Sequence, residues 1–124
     1  MTLRTSGFHF WHPGMARDLA RLIAGVWAFF WTWFGMASGL AEGMSIPGTL
    51  VHMAPGLLFT AVVWLAFRHP TAGGLALLLG AFLIFIYYPL MASHMAASVV
   101  ATTVLMLGAP PLIAGLLFLL HREP

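Results

Sequence analysis

The chain has no cysteine and no lysine, and its only acids in 124 positions are Asp18, Glu42 and Glu123. Without cysteine it forms no disulfides, offers no thiolate to a metal and carries out no thiol redox chemistry. Charged residues make up 6% of the sequence, against about 25% in an ordinary soluble domain. Five arginines and three acids cannot coat a water-facing surface, so a soluble enzyme is excluded. A hydrophobic fraction of 61% excludes a disordered chain. The formal net charge of +2 is too small for a nucleic-acid footprint, and no nucleic-acid partner is expected. What remains is a small integral membrane protein whose first partner is the lipid bilayer.

What the sequence does contain is four long apolar runs. A spanning helix needs about 20 mostly apolar residues to cross roughly 30 Å of hydrocarbon, and residues 19–38, 48–67, 73–92 and 99–120 qualify. Only the first contains a charge, Arg21 near its start. The runs are about twice the length of a barrel strand and do not alternate polar with apolar residues. Helices satisfy their own backbone groups where water is absent. The expected fold is an all-α membrane protein, a single domain over residues 1–124 built as an antiparallel bundle of four transmembrane helices. The connections, over residues 39–47, 68–72 and 91–98, are short enough to force antiparallel neighbours.

Orientation follows from the arginines. Arg4, Arg17 and Arg21 precede or open the first helix, Arg68 lies between the second and third, and Arg122 follows the fourth. In an antiparallel four-helix chain all five fall on one side, so the positive-inside rule puts both termini in the cytoplasm. The same asymmetry argues against a dual-topology dimer. Ala37-Ser38-Gly39 offers a cleavage site for a signal peptide, but the first run is longer than an h-region and carries Trp27, Trp31 and Trp33. A retained signal-anchor helix fits better. In the N-terminal segment Phe8, Phe10 and Trp11 mix with His9, His12 and Arg17, which suits a headgroup-zone lead-in better than a metal-binding His tract. Asp18 is spaced to pair with Arg21 along a helix.

Gly35, Gly39 and Gly43 form two overlapping small-xxx-small units. Glycine at this spacing lets two backbones approach in lipid, either within one bundle or at a homo-oligomer seam through Gly35 and Gly39. Pro55, Pro89 and the pair Pro110-Pro111 fall in or at the edge of spans, and each removes a helix donor. The carbonyls freed near Leu107 need water, a neighbouring helix or a ligand. Thr102 and Thr103 are placed to hydrogen-bond across helices. The two halves show no sequence symmetry, so an inverted-repeat transporter design has no support.

An ionisable side chain in the hydrocarbon raises a functional hypothesis by default. His52 lies four residues into the second run, roughly 6 Å below its outer end; His94 and Glu42 lie in the two outer connections. Two histidines and a carboxylate can bind a divalent metal or relay protons. The alternative is a neutral His52 bonded to a backbone carbonyl or a threonine of a neighbouring helix. As part of a site, its ring should face the bundle interior on the stripe of Gly56, Phe59 and Val63. No other cofactor is expected. A small multidrug exporter is set aside for want of a carboxylate in the first helix, and a quinone-linked thiol oxidoreductase for want of cysteine pairs. A b-type cytochrome needs facing intramembrane histidines; His52 has only the boundary residue His94, which leaves at most a single outer haem.

The segments Gly35-Met-Ala-Ser-Gly-Leu-Ala-Glu-Gly43, His52-Met-Ala-Pro-Gly56, Trp64-Leu-Ala-Phe-Arg-His-Pro-Thr-Ala-Gly-Gly74 and Pro110-Pro-Leu-Ile-Ala-Gly-Leu-Leu-Phe118 resemble a family of small, uncharacterised bacterial four-helix membrane proteins classed as a domain of unknown function. The shared features are His-x-x-Pro and aromatic-Arg-x-Pro-x-x-Gly-Gly; Phe67 departs from the tryptophan common before the arginine. The resemblance implies no activity, and a multi-pass protein of the bacterial inner membrane. It points to His52, Pro55, Arg68 and Glu42, with Pro55, Arg68, Pro110 and Pro111 in structural roles. Two functional readings follow. One is a non-enzymatic accessory or structural subunit acting through helix packing, alone or in a larger membrane complex. The other is a protein handling a ligand, metal or proton at an outer-side site around His52.

Overall fold

A computed structural model describes residues 14–120. Within them four helices follow one another: α1 (Met15–Ala41), α2 (Ile46–Arg68), α3 (Pro70–Met91) and α4 (Ala97–Leu120). The shortest has 22 residues, which at 1.5 Å per residue is about 33 Å, so each reaches across the hydrocarbon. All four are long and apolar enough to cross a membrane. The N-terminal segment with His9 and His12, and the end with Arg122, lie outside the described residues.

All four helices start before the apolar stretches that announce them, and α1 and α2 also end beyond theirs, because a helix ends where its terminal groups are satisfied rather than where hydrophobicity stops. At the end of α1, Gly43 takes a left-handed φ of 70°. Its N–H donates to the Leu40 carbonyl at 3.1 Å and that of Met44 to Gly39 at 3.0 Å, the paired bonds of a Schellman cap. Gly43 is therefore a cap and not part of a packing motif. At the start of α2 the Ser45 hydroxyl accepts the Gly48 N–H at 3.2 Å. The α2–α3 connection, expected over residues 68–72, shrinks to His69 alone. Its backbone is extended (φ −133°, ψ 85°), as a residue preceding proline favours, and Pro70 opens α3 at a position that needs no N–H.

Neighbouring helices run antiparallel. Along the α1–α2 seam Gly39 lies against Thr49, Gly35 against Met53 and Gly56 against Thr32, so positions rising along α1 meet positions falling along α2. The α3–α4 seam reads the same way, with Gly74 against Gly115 and Phe118, and Gly108 against Phe85. The helices close into a ring in which α1 meets α2 and α4, and α3 meets α2 and α4. The residues shared by all four form one core: Ala20, Ala24, Trp27, Ala28, Val63, Ala66, Leu77, Ala114 and Phe118. These positions sit in the half of the bundle that holds Arg21 and Arg68. Small residues fill most of the interior while Phe29 and Ile46 are 72% and 80% exposed, the arrangement expected where lipid is as apolar as a leucine side chain.

Candidate functional site

The three residues proposed as metal ligands are not assembled. Glu42 caps the end of α1, His94 sits in the α3–α4 turn, and His52 lies on α2; all three are exposed. Among the described residues no three of His, Cys, Asp or Glu come together closely enough to hold a metal ion. The inward stripe on α2 is real for Gly56 and Val63, which are buried, and Phe59 stacks on Trp27 with ring centroids 4.3 Å apart. His52 shares that side of the helix, but the core covering Phe59 and Val63 ends before reaching it. At its level the buried position is Thr49, and what His52 brings to the α1 seam is its backbone carbonyl, against Gly35.

Gly35 and Gly39 are buried and engaged within the chain. A Cβ on Gly35 would lie 2.9 Å from the His52 carbonyl oxygen, and one on Gly39 3.1 Å from the Thr49 methyl. Of the two packing readings the structure shows the one within the bundle. A hydroxyl pair that sequence reasoning passed over lies further along the same seam. Thr32 donates to the Ala28 carbonyl (2.8 Å), Thr60 donates to that of Gly56 (2.9 Å), and the two hydroxyl oxygens are 3.2 Å apart. The available signal was a threonine inside each of two adjacent spans, Thr32 and Thr60. Thr102, expected to reach a neighbouring helix, instead donates to Ser98 in its own helix at 2.8 Å.

The proline pair in α4 sets up the most specific contact between the hairpins. Pro111 has no N–H, so the Leu107 carbonyl four residues earlier loses its helical partner. The indole N–H of Trp27 donates to that carbonyl at 3.0 Å, bridging 80 positions of sequence. Pro110 likewise frees the Met106 carbonyl. Met106 itself lines an open cleft.

Trp27 divides two such clefts. On the α1–α4 side is one of about 530 Å³, walled by Leu22, Val26, Trp27, Trp31, Met106 and Pro110. On the α2–α3 side is one of about 270 Å³ between Trp27, Leu58, Phe59, Leu77, Gly80 and Pro111. The larger falls within the range of roughly 300–1,000 Å³ typical of ligand pockets, but its wall is almost wholly apolar and carries no convergent polar groups. Its rim holds a set of packed rings: Phe30 lies edge-on to Trp31 at 5.3 Å and stacked on Phe34 at 6.0 Å. Phe30 and Phe34 are exposed.

At the arginine end, Arg21 does not pair with Asp18. Its guanidinium carbon stands 5.7 Å from the centroid of the Phe67 ring, and that of Arg68 stands 5.2 Å from the Trp64 ring. Such cation–π contacts are worth about 0.5–1 kcal/mol at exposed sites.

Four long apolar helices, a small-residue interior and large apolar side chains turned outward define a multi-pass, all-α membrane protein. A family model described as Domain of unknown function (DUF7670) matches residues 3–122, and the chain belongs to that family. No curated protein and no solved structure matches it.

Proposed function

We propose that this protein is a non-enzymatic subunit of a larger membrane assembly, and that its α1–α4 cleft receives a transmembrane helix of the partner. The Met106 carbonyl carries this reading. A helix carbonyl without its donor is costly in hydrocarbon, and an acyl chain has no donor to give it. A partner helix bearing a hydroxyl, amide or indole N–H supplies one, as Trp27 does for Leu107. The exposed Phe30 and Phe34 beside the cleft belong to the residue class enriched at protein interfaces. The setting that goes with this reading is a bacterial cytoplasmic membrane with both termini inside, as the arginine distribution favours.

The test is site-specific photocrosslinking in cells, with a photoreactive residue at Val26 or Met106 and controls at the exposed positions Leu79 and Phe82 on α3. One discrete protein adduct at the cleft positions, missing at the controls, is the expected result. Adducts to lipid alone at all four positions would remove the docking reading. Reporter fusions after residue 45 and at Pro124 should report opposite sides of the membrane, and two fusions on the same side would end the orientation.

A further inference from the structure

We infer that the outer face of the α1–α2 hairpin binds an anionic phospholipid, its headgroup held by Arg21 and Arg68 and one acyl chain lying in the groove beneath them. That groove has a volume of about 390 Å³ and is walled by Gly25, Ala28, Phe29, Val63, Trp64 and Phe67, with Thr32 and Thr60 at its far end. Phe67 and Trp64 are the two rings on which Arg21 and Arg68 rest, so the aromatic wall of one groove carries both guanidinium groups. From Gly25 to Thr32 is seven residues, about 10 Å along the axis. The two threonine hydroxyls donate to backbone oxygens at Ala28 and Gly56, which leaves the far end compatible with methylene groups.

The occupant follows from what each part requires. Among the described residues Arg21 and Arg68 have no carboxylate partner, and each rests on an aromatic ring. Arg68 closes α2 and Arg21 lies six residues into α1, near the span ends where headgroup phosphates lie, and guanidinium groups match phosphate oxygens in pairs. The groove below them opens sideways on hydrocarbon, so the bilayer supplies its filling. A free phosphate satisfies only the arginines, and a zwitterionic lipid brings an ammonium group to the two guanidinium groups. An anionic lipid satisfies both parts. Gly25 keeps the groove open: the nearest atom to a Cβ there is the tip of Phe67 at 4.0 Å, so a side chain at this position enters the groove without striking backbone.

The experiment uses the full chain purified in mild detergent, offered phosphatidylglycerol and phosphatidylcholine with identical acyl chains, with retained lipid read by native mass spectrometry. Preferential retention of phosphatidylglycerol is expected. Each of Arg21→Gln and Arg68→Gln should reduce it about five-fold, the effect of one basic residue near an anionic surface. Arg21→Lys and Arg68→Lys keep the charge, guard against loss of folding or orientation, and should retain the preference. Gly25→Leu, with both arginines intact, should abolish retention by filling the groove. Equal retention of the two lipids overturns the proposal, as do glutamine variants that bind like the wild type. Displacement of lipid by inorganic phosphate, together with a Gly25→Leu variant that retains lipid normally, would reduce the site to a bare anion site and overturn the acyl-chain assignment.

Discussion

Contacts within the hairpins and contacts between them are made in different ways. Within each hairpin the helices touch backbone to backbone. A Cβ on Gly56 would stand 2.5 Å from the Thr32 Cα, and one on Gly115 2.9 Å from the Gly74 carbonyl oxygen. Between the hairpins the space is spanned by large side chains, above all Trp27, and two clefts remain beside it. The exception is the pivot at the single-residue turn, where Gly73 lies directly on the Ala66 backbone. The seams therefore fix the hairpins as units, while the join between hairpins keeps open space beside the proline pair. That join is where the proposed partner helix would enter.

The comparison breaks most sharply on glycine. Gly56→Ala and Gly73→Ala place a methyl group where backbone already stands, and helices cannot yield as a flexible side chain does. Each should destabilise by at least the roughly 1–3 kcal/mol of ordinary overpacking, read as loss of the monodisperse peak after heating in detergent. A variant as stable as wild type at either position would mean that the seam is not closed.

The Trp27 bridge comes next. Trp27→Phe keeps a ring against Phe59 but leaves the Leu107 carbonyl without its donor, at a cost of about 0.6–1.7 kcal/mol for an interhelical bond in a membrane protein. Pro111→Ala returns an in-helix N–H to that carbonyl, so Trp27→Phe should cost measurably less in the Pro111→Ala background. Equal cost in both backgrounds would disconnect the tryptophan from the proline.

Gly80 gives the opposite sign. It lines the smaller cleft, and nothing lies within 4 Å of a Cβ there. Gly80→Ala should raise stability by up to about 1 kcal/mol through helix propensity. A loss at Gly80 like that at Gly73 would remove the distinction between seam and cleft.

The smallest effect sits inside the seam. Thr49 is 6% exposed, and its hydroxyl has no hydrogen-bond partner. Thr49→Val preserves the shape and removes a buried polar group, so it should stabilise by a few tenths to about 1 kcal/mol. Measurable destabilisation would show that the hydroxyl is satisfied in the membrane.

The scarcity of charge and the four apolar runs determined by themselves that this is an all-α, four-span membrane protein. Hydrophobic length and backbone self-satisfaction are properties of each segment alone. Sequence also located the weak point in α4, because a proline deletes a named donor whatever surrounds it. It did not say who would answer the Leu107 carbonyl, since Trp27 lies 80 positions away and only the ring of helices brings it there. The same limit applies to His52. Its rotational position matched the buried stripe, but burial also depends on how far along α2 the shared core extends. The glycine-rich stretches announced close approach without choosing between a second copy and a neighbouring helix. Tertiary structure chose the neighbour, because the Schellman cap at Gly43 folds α2 back onto the face that Gly35 and Gly39 share. It also set Arg21 of α1 over the Phe67 ring of α2, 46 positions further along the chain.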